Sequence, residues 1–483
     1  MLKKLLFILL LSQGSVTLAQ DIPIGDWRDH LPYSDAVSIS FGDNIIYCAT
    51  NSAVFTYDQS DMTIDRLNLV NGLSDIGLSK INFNNYNKSI VIGYKNGNLD
   101  VIDKNKTITN LSFIKNSNVV GSKSINHIYF QGKLAYLSTG FGIVILDTDK
   151  LEIVDTYLFG PLGGFMLTNA VTIDSLNIYA ATDQGVYFAN KNSANLTDFN
   201  EWSLLTDLGT AKYSNIVTYS GRVFTSLESA AWNGDSLYFN DGGVWQKFIA
   251  WGVNINSLNV SNNRLLISYN SQVNQIKQSL STESIISNHK SLFPLSPVEA
   301  VIDNEGYMLI AEESHGIIRA KNNWDSEIIV PNGPSSSSIF KMDIFQDDLW
   351  FVSGAYDPQT YGPNSISKNL INYRIEGSWN TVAEQINNIS GNVATDAVSV
   401  IINPRDQTQV FFGTWDNGLF ASYDSKRPVL PWVSAIIERR IIDYIRKVTV
   451  RNAKETLTSD GDVTNFEADT KIIKEEFEFL SQL

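Results

Sequence analysis

The sequence predicts an all-β protein: a seven-bladed β-propeller, then the first blades of a second propeller and a short helical or disordered tail. Three observations support this prediction. A short phrase recurs about every 44 residues up to about position 320, hairpin-turn residues hold a fixed place in each copy, and no long helical period occurs before about residue 430. A four-stranded propeller blade repeats at about 40 to 45 residues, which matches the period of the phrase.

The recurring phrase is an apolar strand, a small or hydroxyl residue, a short turn closed by a small residue, and a second apolar strand. Two clear copies occupy residues 45–55 and 177–187. The turn-closing residues of the seven copies are Ala53, Gly97, Gly142, Gly185, Ala230, Gln272 and Gly316. One blade cannot bury both faces of its sheet, so blades stack until a ring closes. The seven copies therefore predict a propeller domain at 21–330.

Turn-forming pairs precede the first strand of the phrase, which we take as the inner strand of each blade. Examples are Asp43-Asn44, Gln131-Gly132 and Ser220-Gly221. These residue types favour tight hairpins because they tolerate positive φ.

The recurring phrase resumes after a linker. Residues 331–338 read Pro-Asn-Gly-Pro and four serines, which indicates a domain boundary, and copies of the phrase follow at 349–354 and 409–420. Residues 331–427 are therefore predicted to form a partial second propeller. The atypical tail at 428–483 is rich in charge and has helical spacing of apolar residues at 433–448. Two interpretations stay open, an accessory element and a departure from the repeat plan by truncation or an altered reading frame, and we favour the second.

Residues 1–20 are predicted to be a signal peptide. Lys3 and Lys4 precede an apolar run at 5–11, and a small-residue motif places cleavage between Ala19 and Gln20. The run is shorter than the roughly 20 residues that span a bilayer. We expect export to the periplasm or outer cell surface, with no transmembrane segment in the mature chain.

Charge and residue types limit the class of function. The net charge is -15 with a pI near 4.8, which opposes nucleic-acid binding because that requires a basic surface. A lone Cys48 allows no intrachain disulfide, and His127 and His315 are expected in loops or on the surface rather than as ligands. Neither a nucleophile elbow nor a P-loop occurs. We expect no enzymatic activity, no metal and no cofactor.

Tryptophans are the candidate binding residues. Trp232, Trp245 and Trp251 fall within one blade, and Trp415 occupies a blade turn. They are candidate glycan contacts, because aromatic platforms bind sugars. The alternative is packing between blades, where large aromatic side chains contribute buried apolar area.

Several motifs resemble one family. The segment 24–33 (Ile-Gly-Asp-Trp-Arg-Asp-His-Leu-Pro-Tyr), the phrase Asn-Gly-Leu-Ser-Asp at 71–75 and the turn at 414–419 resemble PorZ-type surface proteins of the Bacteroidota type IX secretion system, within the two-component-regulator propeller superfamily. The resemblance implies two seven-bladed propellers and a C-terminal β-sandwich. It also implies a non-enzymatic adaptor that works with the PorU sortase and binds anionic lipopolysaccharide for cargo attachment. This sequence departs from the family in lacking most of the second ring and the C-terminal sandwich.

Two other functions stay open. The main alternative is the periplasmic glycan-sensing propeller domain of a hybrid two-component system. A propeller glycoside hydrolase or lyase is less well supported, because its motifs are missing from the sequence.

Overall fold

The computed structural model describes residues 29–229, 234–250, 254–357, 359–360, 362–367, 370–375, 377–382, 394–406, 409–415 and 418–421. The predicted signal peptide with its cleavage site at Ala19 and Gln20, the anchor Ala230, Trp232, Trp251 and the predicted tail at 428–483 lie outside the described residues. The described residues up to 420 belong to one compact unit.

Residues 36–329 fold into seven four-stranded antiparallel sheets, each made from one continuous stretch of chain. The first four sheets are β1 (Ala36–Gly42), β2 (Ile45–Thr50), β3 (Ala53–Asp58), β4 (Thr63–Asn68); β5 (Leu78–Asn84), β6 (Ser89–Tyr94), β7 (Leu99–Ile102), β8 (Ile108–Leu111); β9 (Ile125–Gln131), β10 (Leu134–Thr139), β11 (Gly142–Asp147), β12 (Glu152–Tyr157); and β13 (Thr168–Ile173), β14 (Asn177–Thr182), β15 (Gly185–Asn190), β16 (Ser203–Leu204). The next three are β17 (Tyr213–Tyr219), β18 (Arg222–Leu227), β19 (Ser236–Asp241), β20 (Val244–Ala250); β21 (Ile255–Ser261), β22 (Arg264–Tyr269), β23 (Val273–Ile276), β24 (Thr282–Ile286); and β27 (Pro297–Ile302), β28 (Met308–Glu312), β29 (Gly316–Ala320), β30 (Ser326–Ile329). A small hairpin of β25 (Asn288–His289) and β26 (Phe293–Pro294) and two 3₁₀ turns at Pro161–Gly163 and Phe199–Glu201 complete this part.

The sheets pack side by side in a ring. The first strand of each sheet contacts the first strand of the next, in the order β1, β5, β9, β13, β17, β21, β27, and β27 contacts β1 again. The all-β prediction is thus confirmed. One detail is wrong: the strand that begins the sequence phrase is the second of its sheet, and the innermost strand is the one before it.

The seam between the last and first sheets is closed by side chains, since no strand is exchanged across it. The Glu299 carboxylate accepts from the Ser38 hydroxyl at 2.6 Å and from the Ile39 amide at 3.2 Å. Below these contacts a shared core includes Ile39, Phe55 and Ile317 together with Cys48. Burial raises the pKa of the Cys48 thiol well above its usual value, so Cys48 is a packing residue.

The hydroxyl residue of the phrase fastens the turn that follows it. Its side-chain hydroxyl donates to the carbonyl of the turn-closing residue in the pairs Thr50–Ala53, Thr139–Gly142, Thr182–Gly185 and Thr414–Gly418, at 2.7 to 3.1 Å. Gly142 shows why small residues close the turn. Its φ is 154°, and a Cβ there would lie 2.3 Å from the carbonyl oxygen of Tyr157.

The turn-forming pairs adopt the conformation that their residue types favour. Asp43 and Asn44 have φ of 52° and 63°, and Ser220 and Gly221 have 51° and 76°. Two successive positive φ values define the type I′ turn, whose twist matches that of the flanking strands.

Two further sheets follow residue 330. They are β31 (Lys341–Phe345), β32 (Asp348–Val352), β33 (Ile371–Ile375), β34 (Ser378–Val382), and then β35 (Ala397–Ile402), β36 (Val410–Thr414), β37 (Leu419–Ala421). They pack on each other through a common core, and the Ile402 amide donates to Asp343 across the pair at 2.8 Å. Trp379 of β34 donates to the ring nitrogen of His30 at 3.0 Å. The domain boundaries at 330 and 427 stay predictions.

Candidate functional site

A polar channel runs through the centre of the ring and is the candidate functional site. It contains two adjoining cavities of about 440 and 500 Å³. Lys80, His127, Leu258 and Glu299 line both cavities, so the cavities meet at the level of these side chains.

A β-bulge repeated in every innermost strand builds this level of the channel. In all seven sheets the pairing of the first strand with the second skips one residue at the same place, near the start of the strand. A bulge re-aims the side chain beside it. The residues that directly follow the skipped position form what we call the channel belt: Ser38, Lys80, His127, Ala170, Asn215, Ser257 and Glu299.

The skipped residue itself holds neighbouring sheets together at three places. Asn126, Asn169 and Asn256 donate from their side-chain amides to the first carbonyl of the next innermost strand, at 2.9, 2.8 and 2.7 Å. These carbonyls belong to residues 168, 213 and 297. Because each of these bonds joins two neighbouring sheets, it fixes the backbone of the innermost strands that carry the belt.

The charged residues of the belt form one ion pair. Glu299 and Lys80 come from different sheets, separated by the first sheet, and their charged atoms lie 3.5 Å apart. Within the described residues, the contacts of the Glu299 carboxylate all use Oε2, which meets Lys80, the Ser38 hydroxyl and the Ile39 amide. Its Oε1 has no protein partner among those residues.

His127 is a neutral side chain in the belt. Burial, with a smaller effect from Lys80, lowers its pKa to about 4. Its Nδ1 accepts from the Val171 amide at 3.4 Å, which places the ring proton on Nε2. The expectation that His127 is a loop or surface residue is wrong, since it lies in β9 and faces the channel. His315 does lie in a turn, between β28 and β29.

The structure separates the candidate tryptophans. Trp245 is half-buried and packs on the core of the fourth and fifth sheets, which includes Tyr179 and Tyr213. Trp415 is 40% exposed, and its ring lies 5.2 Å from that of Tyr356, which in turn lies 5.3 Å from Phe340. We call Trp415, Tyr356 and Phe340 the aromatic cluster. It joins the two sheets after residue 330 and does not include Trp245.

The channel belt was missed by sequence analysis. A signal existed, because each belt residue lies 15 or 17 residues before the anchor of its repeat. Recognising it requires the bulge, which changes the side-chain alternation of the strand.

In the part of the chain that the structure describes, no group of three His, Cys, Asp or Glu side chains is placed to hold a metal ion. Among those same residues, no helix combines the length and the apolar character that crossing a membrane requires.

Comparisons with known proteins point to one family. Residues 46–203 match the model of the N-terminal β-propeller domain of PorZ from the type IX secretion system. The structure resembles that of PorZ from Porphyromonas gingivalis, an essential bacterial surface component of that system, with a TM-score of 0.66 and 19% identity. The match covers 84% of this chain and 54% of that one, so the chain spans about half the length of that protein.

A second solved structure is less similar. The extracellular domain of the putative hybrid two-component system BT3049 from B. thetaiotaomicron gives a TM-score of 0.46 at 14% identity, covering 82% of this chain and 52% of that one. No curated protein matches the chain.

Proposed function

We propose that this PorZ-type protein is a component of a type IX secretion system and acts at the periplasm or cell surface as a non-enzymatic adaptor. The observation that carries the proposal is the match of residues 46–203 to the PorZ N-terminal propeller domain. The resemblance of the whole ring to the PorZ structure supports it at the level of the fold.

We propose that one face of the ring binds a PorU-like sortase. Three consecutive connections, at 69–77, 112–124 and 158–167, each join the last strand of one sheet to the first strand of the next. Because the four strands of every sheet alternate in direction, these connections lie on the same face of the ring. They carry exposed apolar side chains, namely Leu69, Val70, Ile76, Phe113, Val120, Leu162 and Phe165. Exposed apolar residues grouped on one face are typical of protein-binding surfaces. We call this surface the apolar face.

The sortase proposal is tested by co-purification. Val70→Asp, Val120→Asp and Leu162→Asp together place three carboxylates on the apolar face, where desolvating them opposes binding. Leu176→Asp is the matched control, because Leu176 is also exposed but lies in a turn at the opposite face. We expect the triple variant to lose the sortase and the control to retain it. Equal retention by both folded variants would show that the sortase binds elsewhere.

The second part of the proposal is binding of an anionic lipopolysaccharide glycan at the aromatic cluster. Trp415 and Phe340 are exposed, and the rings of the cluster differ in tilt by 35° and 72°, so they present more than one apolar surface to a sugar. Trp415→Ala should weaken binding of purified lipopolysaccharide, whereas Trp324→Ala, a change at an exposed tryptophan between β29 and β30 of the ring, should not. Equal binding by the wild type and Trp415→Ala would exclude the cluster.

The cellular role has its own test. If the adaptor proposal holds, deletion of the gene leaves secreted cargo unprocessed or unattached at the cell surface. Normal cargo in the deletion strain, with no second PorZ-type gene present, would contradict it. The two-component sensor stays a prediction, and a kinase reading frame following in phase would favour it.

A further inference from the structure

The channel belt holds unused hydrogen-bonding groups of both kinds. Lys80 has three N–H donors, and among the described residues its ammonium contacts Glu299 alone, at the long distance of 3.5 Å. The Nε2–H of His127 is a second donor with no recorded acceptor in the described part of the chain. Glu299 Oε1 is an acceptor, because the three donors that reach this carboxylate all contact Oε2.

A buried hydroxyl in the same belt lacks a partner. Ser257 is only 5% exposed and lines the 500 Å³ cavity, and its buried Oγ makes no hydrogen bond within the described residues. The hydroxyl must therefore rotate about χ1 to meet a ligand in the cavity. A buried hydroxyl without a partner costs about 1 to 3 kcal/mol. The position is not needed for packing, since the equivalent residue of the fourth sheet is Ala170.

The charge of the belt indicates the class of ligand. Lys80 and Glu299 cancel, and His127 is neutral, so the belt selects neither anions nor cations. Around the ring, it offers donors, an acceptor and a hydroxyl that can serve as either. Hydroxyl groups donate and accept in the same way, so a polyhydroxylated molecule has partners for groups of both kinds. Cavities of about 440 and 500 Å³ fall within the range of small-molecule sites.

We propose that the channel belt binds a neutral sugar of one or two residues, with adjacent hydroxyls bridging Lys80 and Glu299 and a further hydroxyl on Ser257. This site is distinct from the aromatic cluster and does not depend on the proposed secretion role. Binding at the belt needs no movement of the ring, because the asparagine bonds between sheets already fix the strands that carry it.

The test is calorimetric titration of the full mature chain with four probes: mannose, galactose, cellobiose and galacturonate. We expect at least one neutral sugar to bind. Lys80→Met and Ser257→Ala should each weaken that binding by roughly 10-fold, the effect of losing one hydrogen bond to a ligand hydroxyl. Lys150→Met is the matched control, since Lys150 pairs with Glu152 on the exposed surface, and it should leave affinity unchanged.

Four other results would each overturn the proposal. Binding that survives both Lys80→Met and Ser257→Ala places the sugar elsewhere, and loss only in Trp415→Ala assigns it to the aromatic cluster. Binding of galacturonate without any neutral sugar shows an anion site at Lys80. Failure of all four probes removes the neutral-sugar assignment. Ser257→Ala deletes one atom, so it remains informative if Lys80→Met does not fold.

Discussion

Arg319 is expected to be the residue whose loss most weakens the ring seam. Its guanidinium donates to Asp303 at 2.9 Å, to Glu305 at 2.6 Å and to Glu327 at 3.1 Å, and it lies 3.8 Å from the ring centre of Tyr307. The Asp303 side chain is 0% exposed and also accepts from Gln59 of the first sheet at 2.9 Å. Arg319→Met therefore leaves a buried carboxylate at the seam without its cation.

The magnitude follows from what remains around Asp303. Removing one partner of a buried ion pair costs about 3 to 5 kcal/mol. Asp303 keeps Gln59 and the backbone amides of Glu305 and Tyr307, at 2.9 and 2.8 Å, so the lower end applies. Loss of the contact with Tyr307 adds about 0.5 to 1 kcal/mol. The two exposed glutamates contribute less than about 1 kcal/mol each. Together these contributions lead us to expect that Arg319→Met lowers the free energy of unfolding by about 3.5 to 6 kcal/mol.

Equilibrium urea unfolding measures this loss. The matched control is Arg264→Met, which breaks a pair with Glu283 in which both side chains are partly exposed, at 32% and 28%, and should cost less than about 1 kcal/mol. Combining Arg319→Met with Asp303→Asn should recover part of the loss, because the uncompensated charge is then absent. The reasoning is refuted if Arg319→Met and Arg264→Met are equally destabilising.

Three further changes test other groups, each by urea unfolding. Thr182→Val removes the hydroxyl that donates to the Gly185 carbonyl at 2.7 Å and should cost about 1 to 2 kcal/mol, whereas Thr182→Ser should cost less; equal losses would contradict the turn-fastening role. Burial raises the pKa of Asp35 to about 6, so stability falls as the pH rises from the ordinary carboxyl pKa of about 4 through 6. Asp35→Asn should stabilise the protein by roughly 1 to 2 kcal/mol at pH 7 and little at pH 4, and a gain of the same size at both would argue against this. In the folded protein the pKa of His127 is lowered to about 4, so on acidification the unfolded chain binds a proton before the folded protein does. The free energy of unfolding therefore falls as the pH drops from 6.5 toward 4. His127→Gln should remove up to about 3 kcal/mol of that fall, and an unchanged pH dependence would show that His127 does not titrate this way.

Local chemistry explains which features the sequence could predict. The positive φ of Asp43 and Asn44 follows from their residue types, and the Thr–Gly turn of the phrase, as at Thr182 and Gly185, is contained within four residues. Such features repeat because every sheet needs the same turn. The aromatic pairing of Trp415 with Tyr356 joins residues 59 positions apart, and no local pattern indicates it.

The sequence by itself determined that the protein is a repeated all-β chain, because turn chemistry and strand alternation are short-range and recur with each sheet. Only the tertiary structure decided what the ring encloses. Lys80 and Glu299 are 219 positions apart, yet they meet because the last sheet packs beside the first. The bulge recurs at the same place in every innermost strand, and ring closure brings six of the seven residues that follow it to the walls of the two cavities.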